Sequence, residues 1–229
     1  MKLNYFIPIL VLFAGVLLLP QSSIAQESDA NLWTRFALKY DISKNTRLAI
    51  EEEFRFFNNA SMLEQNHTEI GIKSEIVNRL KIGAYYRFIY ETDIDRDYSL
   101  GHRGWLQIEY LLLDKDLEIS IRNRLQATVQ NVQSSEKGDI PEWYNRYKLS
   151  VEYKPKKAVW VPGGDIELWH ALKPYGKPSI DKLRATLGLE YRYNSNWRFK
   201  MFYALQKELQ TANPGTDHIW GIASTYLIN

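Results

Sequence analysis

The chain has 229 residues, no cysteine, and 29 basic against 27 acidic side chains, a net charge of +2. That length suits one domain or one closed barrel. The charge balance excludes a nucleic-acid binder driven by basic excess, and the missing cysteine excludes a disulfide scaffold, a thiolate metal site and a lipidated cysteine.

The first element in chain order is an export signal. Met1-Lys2 gives a short positive start, Phe6 to Pro20 is apolar apart from Pro8 and Gly15, and Ser23-Ile24-Ala25 forms a small-x-small cleavage pattern. The apolar run is shorter than the about 20 residues of a spanning helix. Residues 1–25 are therefore expected to be a signal peptide and 26–229 a single barrel domain.

From Leu32 onward the chain alternates with period two, the signature of strands with two unlike faces. Leu32, Thr34, Phe36, Leu38 and Tyr40 oppose Arg35, Ala37 and Lys39. Leu48, Ile50, Glu52, Phe54 and Phe56 oppose Arg47, Glu51, Glu53 and Arg55, and Thr68, Ile70 and Ile72 oppose Glu69 and Lys73. Leu80 to Tyr90, Leu106 to Tyr110, Leu117 to Val129, Trp143 to Tyr153, Leu183 to Tyr193 and Trp197 to Leu205 repeat the pattern. Asp165 to Leu168 is the least regular segment, and a last strand is expected from about His218 to Asn229.

The connections are expected to be short at 43–45, 77–79, 114–116 and 194–196 and long at 58–66, 92–102, 131–141, 173–180 and 207–217. Short turns on one side and long loops on the other are how outer-membrane barrels join their strands. The chain yields about eleven such segments, whereas bacterial single-chain barrels have even strand numbers. The expectation is an all-β, purely antiparallel, transmembrane up-and-down barrel of about ten to twelve strands, twelve favoured. The stretch 154–164, with Pro155 and Pro162, is the place where the count should shift. Aromatic residues make up 14% of the chain, and Trp33, Tyr40, Tyr90, Trp105, Trp143, Tyr153, Tyr191, Tyr193, Trp197 and Trp220 lie near strand ends, as girdles at two membrane–water interfaces would require. The mean hydropathy of −0.38 excludes a helical bundle but not a barrel, whose strands are only half apolar.

The early Asn31-Leu32-Trp33 strand, the Gly83-Ala84-Tyr85-Tyr86-Arg87 hairpin and the closing Asp217-His218-Ile219-Trp220-Gly221 strand resemble a family of small Gram-negative outer-membrane proteins. That family is catalogued only as a domain of unknown function (the 2490 series). The resemblance spans essentially the whole mature chain. It implies a barrel in the cell outer membrane and brings no catalytic residues.

In such a barrel the charged face turns inward. Glu51, Glu53, Arg55, Glu69, Lys73, Glu75, Arg87, Glu109, Arg122, Arg124, Arg146, Lys148, Glu152, Arg184, Glu190 and Arg192 are expected to form a lumen network of mixed sign. Arg122 and Arg124 are expected beside Glu109, and Glu190 beside Arg184 and Arg192. Arg124 and Arg184 should be countered by carboxylates. The function expected is a plugged structural or binding barrel with extracellular loops, its partners being outer-membrane lipid and either a small polar solute or an extracellular or periplasmic protein. One alternative is a narrow channel for small polar or anionic solutes, with arginines as the selectivity ring. A second is a lipid-modifying hydrolase built on Asp97, Ser99 and His102, which lacks a G-x-S-x-G elbow. No enzyme, cofactor or nucleic-acid partner is expected. The four histidines lie on separate segments, which suits rim or loop positions better than a metal site.

Overall fold

A computed structural model describes residues 28–92, 98–130, 141–173, 178–210 and 214–228. The expected signal peptide lies outside these residues, as does Asp97. The described chain forms β1 (Ser28–Asp41), β2 (Thr46–Phe57), β3 (Met62–Val77), β4 (Leu80–Thr92), β5 (Tyr98–Asp114), β6 (Leu117–Val129), β7 (Glu142–Tyr153), β8 (Trp160–Ala171), β9 (Ser179–Arg192), β10 (Trp197–Glu208) and β11 (Thr216–Ile228). Each strand pairs antiparallel with its neighbours in sequence, and β1 pairs with β11 to close a barrel.

That closure corrects the expected twelve antiparallel strands: the barrel has eleven, and β1 and β11 run parallel, with Ser28 opposite Thr216 and Tyr40 opposite Ile228. The two features are one. Strands of a meander alternate in direction, so an odd-numbered last strand runs the same way as the first. The seam must then use the evenly spaced, slanted hydrogen bonds of a parallel ladder.

The stretch 154–164 hides no extra strand. Pro155 and Lys157 form the β7–β8 turn, with Lys157 at φ 65° and the Ala158 amide donating to the Pro155 carbonyl at 2.9 Å. Pro162 lies within β8, where the β7 ladder has already ended at Gly163, so no β7 carbonyl loses a donor there. The connection expected over 58–66 is also shorter. Asn58, Asn59 and Ala60 turn with φ of 52°, 56° and 61°, and β3 begins at Met62.

The two walls follow the alternation. Apolar side chains cover the outside: Met201 is 68% exposed and Leu106 65%, with Ile70, Ile108, Leu149, Ile166 and Ile222 alongside them. Polar clusters interrupt that surface, satisfied sideways. Glu52 accepts from Asn66 and Thr68 at 2.6 and 2.8 Å, and Asn123 donates to Asn145, which donates to Tyr147. The inside holds His67 and Ile219, at most 1% exposed, together with Glu53, Glu69, Gln107, Gln126, Arg146 and Glu167. Gly71 and Gly221 make room on the inner wall for rings laid across the neighbouring strand: a Cβ would fall 1.9 Å from Tyr85 and 2.0 Å from Phe202.

Candidate functional site in the barrel lumen

The inner wall carries three side-chain groups at mid-barrel. The first lies on β2–β4. Arg55 donates to Glu53 at 2.7 Å, and Arg87 donates to Glu69 through Nε and Nη2 at 2.9 and 2.5 Å. Arg87 Nη1 also reaches His67 Nδ1 at 3.0 Å. A guanidinium only donates, so Nδ1 is unprotonated and Nε2–H donates to Gln65 at 2.7 Å. His67 is thus an interior histidine, not the rim or loop residue expected.

The second group spans β5–β8. Register places Arg124 opposite Arg146 and Arg122 opposite Lys148, a square of four cations on two adjacent strands. Like charges in register repel, and β8 answers them. Glu167 accepts from both Arg122 and Arg146, the latter at 2.8 Å, and Asp165 meets Lys148 at 2.9 Å. Arg124 is left with the Gln107 amide oxygen at 3.1 Å, and Arg103 with the Thr128 hydroxyl at 2.9 Å.

The third group joins the barrel's two ends of sequence. Arg184 donates to Gln206, which donates to Asp217 at 2.8 Å. Its guanidinium also sits 4.7 Å from the Trp33 ring centre and 4.8 Å from that of Trp169. Arg55 stacks on Trp33 at 3.9 Å, Arg146 on Trp169 at 4.2 Å and Arg124 on Trp105 at 4.5 Å. Cation–π contacts of this kind hold an arginine without needing a carboxylate.

These placements correct several expectations. Trp33 and Trp105 are not boundary aromatics: they are 8% and 4% exposed, on the inner wall under arginines. Alternation already carried that signal, because Trp33 shares parity with Arg35, and Trp105 with Gln107. Trp169, Arg35, Asp165 and Glu167 were missed, although the same parity puts them on the charged face. The other eight aromatics lie on the outer wall or its rims. Tyr40, Trp143, Tyr193 and Trp220 are exposed there; Tyr90 stacks on Tyr98 and Trp197 on Phe199 at 5.8 Å each, Tyr191 adjoins Tyr193, and Tyr153 follows the parity of Leu149.

The expected partners are also redistributed. Glu109 pairs across β4 with Lys73 at 3.3 Å, which frees Arg122 to reach Glu167. Glu190 does meet Arg192, at 3.0 Å, but Arg184 pairs with no carboxylate among the described residues. Arg35 lies 3.6 Å from Glu51, while Glu75 caps the Arg79 amide and Glu152 sits near Lys154 at the short-turn rim. Ser99 and His102 are not brought together. They lie on opposite walls of β5, and His102 Nδ1 bonds the Tyr86 hydroxyl at 2.5 Å. Among the described residues no three His, Asp or Glu side chains converge as a metal ligand set.

The chain matches the model of a family described as Protein of unknown function (DUF2490) over residues 30–217. No curated protein matches it. Among solved structures it is similar in fold to a NanC porin, at 11% identity and a TM-score of 0.48, covering 77% of this chain and 86% of that one. It is also similar to the translocator domain of the autotransporter NalP from Neisseria meningitidis, at 15% identity and a TM-score of 0.37, covering 78% and 72%.

Proposed function

This chain belongs to the DUF2490 family, and from that premise we propose that it is an outer-membrane barrel closed at mid-height by its own side chains, working through its loops and lumen as a structural or binding protein. One observation carries the plug: Arg184 on β9 reaches past β10 and β11 to Trp33 on β1, while also lying against Trp169 of neighbouring β8. A barrel of this size is little wider than the eight-stranded kind whose side chains fill the interior, and long Arg and Trp side chains close the remainder.

The outer wall supports the membrane location. Exposed to water, a broad belt of Ile, Leu, Met and aromatic side chains would drive aggregation; in a bilayer it is the lipid-facing band, about 25 Å tall and bounded by aromatic girdles. Trp197 with Tyr226, and Trp160 with Tyr191, would supply the girdle at the short-turn rim, at ring separations of 4.9 and 4.6 Å. Tyr90 with Tyr98, and Trp143, would supply the other.

The expected protein is exported, is cut near Gln26, fractionates with the outer membrane and changes gel mobility on boiling. In a planar lipid bilayer the purified protein should show little or no steady current. A large ion-selective current would overturn the plug and promote the second reading, a narrow channel for small anions, which the arginine excess of the lumen favours.

A further inference from the structure

We propose that the β5–β6 inner wall holds a binding site for one small oxyanion, a carboxylate or phosphate group, centred on Arg124 and Trp105 with Arg122 beside them. The inference does not depend on the plug. Three donor atoms here are buried and have no hydrogen-bond partner among the described residues: Trp105 Nε1, Arg124 Nε and Arg122 Nε. Trp105 is 4% exposed, and the Arg124 guanidinium lies over its ring, 4.5 Å from the centre, so the two side chains that carry these donors are in contact. Arg122 is two residues away on the same face of β6. Buried donors are almost always satisfied, and an indole N–H or a guanidinium can only donate. The occupant must therefore accept.

Charge selects its sign. Arg124 faces Arg146 across the ladder and has no carboxylate partner among the described residues. The nearby acids are already committed: Glu167 to Arg122 and Arg146, Asp165 to Lys148, and Glu109 to Lys73. Arg103, two residues from Trp105, adds another cation, which donates to the Thr128 hydroxyl and meets no carboxylate among the described residues. An uncompensated arginine in a sequestered wall is costly. Water could satisfy the donors but not the charge, whereas an oxyanion does both, and its oxygens match the guanidinium fork.

The test is calorimetric titration of the refolded full chain in detergent with sodium phosphate and with sodium acetate, at constant ionic strength against sodium chloride. Saturable binding of either oxyanion beyond the chloride control is expected. Arg124→Gln and Trp105→Phe, the latter keeping the ring and removing the N–H, should each weaken it about tenfold or more. Arg47→Gln, which breaks a rim pair with Asp41, should leave it unchanged. The proposal fails if neither oxyanion binds saturably, or if both lumen variants, folded by heat-dependent mobility, bind like the unmodified protein. Should Arg124→Gln not fold, Trp105→Phe decides alone. Conductance is not the readout, so a conducting barrel that binds phosphate this way would sink the plug and leave the site standing.

Discussion

Glu167 accepts from two arginines on two strands, Arg122 on β6 and Arg146 on β7, while Arg124 and Arg184 lean on amide oxygens and tryptophan rings. Removing these residues should therefore have unequal consequences. Glu167→Gln leaves two interior arginines without a counter-charge and should cost about 3–5 kcal/mol, read as a lowered urea midpoint for the heat-modifiable form. Arg124→Ala combined with Arg184→Ala strips no carboxylate of its partner and should cost less than half as much. From the sequence the double change was expected to orphan two carboxylates. The register removes that reason, because Glu109 and Glu190 are paired elsewhere. A double variant as destabilised as Glu167→Gln would refute this account of the wall.

At the scale of the strand, period-two alternation assigns side chains to walls and is enough to place most of them. Leu149 is 45% exposed on the outer wall, so Leu149→Arg should cost about 2–4 kcal/mol in a bilayer, where the guanidinium meets hydrocarbon. Thr186 is in register with Asp165 on the inner wall, so Thr186→Arg should cost less because a carboxylate lies opposite. Urea titrations of the two variants in lipid vesicles compare them directly; the reverse ranking would mean the walls are exchanged. Alternation falls silent where the pattern does. In Leu111-Leu112-Leu113 the residue types show no alternation; the parity running from Trp105 turns Leu111 inward, at 5% exposure, and Leu112 outward, and a register shift then leaves Leu112 without a partner on β6. Another shift, between Trp169 and His170, leaves Asp181 of β9 without a partner on β8.

For the molecule as a whole, the seam is the distinctive feature. Phe36 and Ser224 are register partners across the parallel β1–β11 ladder. The chain has no cysteine of its own, so Phe36→Cys with Ser224→Cys provides a clean probe of that closure. An oxidant should lock the folded double variant so that boiling without reductant fails to give the fully extended mobility. A twelve-strand antiparallel closure would set these positions apart and leave no crosslink, which would exclude the eleven-strand barrel.

Much of this was determined in the sequence. Strand positions, the two-faced walls, the polar lumen and family membership all follow from local patterns, because a strand's side chains alternate whatever its neighbours are. The inward tryptophans were legible too, since Trp33, Trp105 and Trp169 share the parity of the charged residues around them. Only the tertiary structure decided the parity of the barrel and its parallel seam, because the pairing of the first strand with the last leaves no local trace. It alone decided which arginine meets which carboxylate, since β5 to β8 must lie side by side before Arg122 can choose Glu167 over Glu109. The Arg124 beside Trp105, without a carboxylate among the described residues, emerges from that competition, and no single strand contains it.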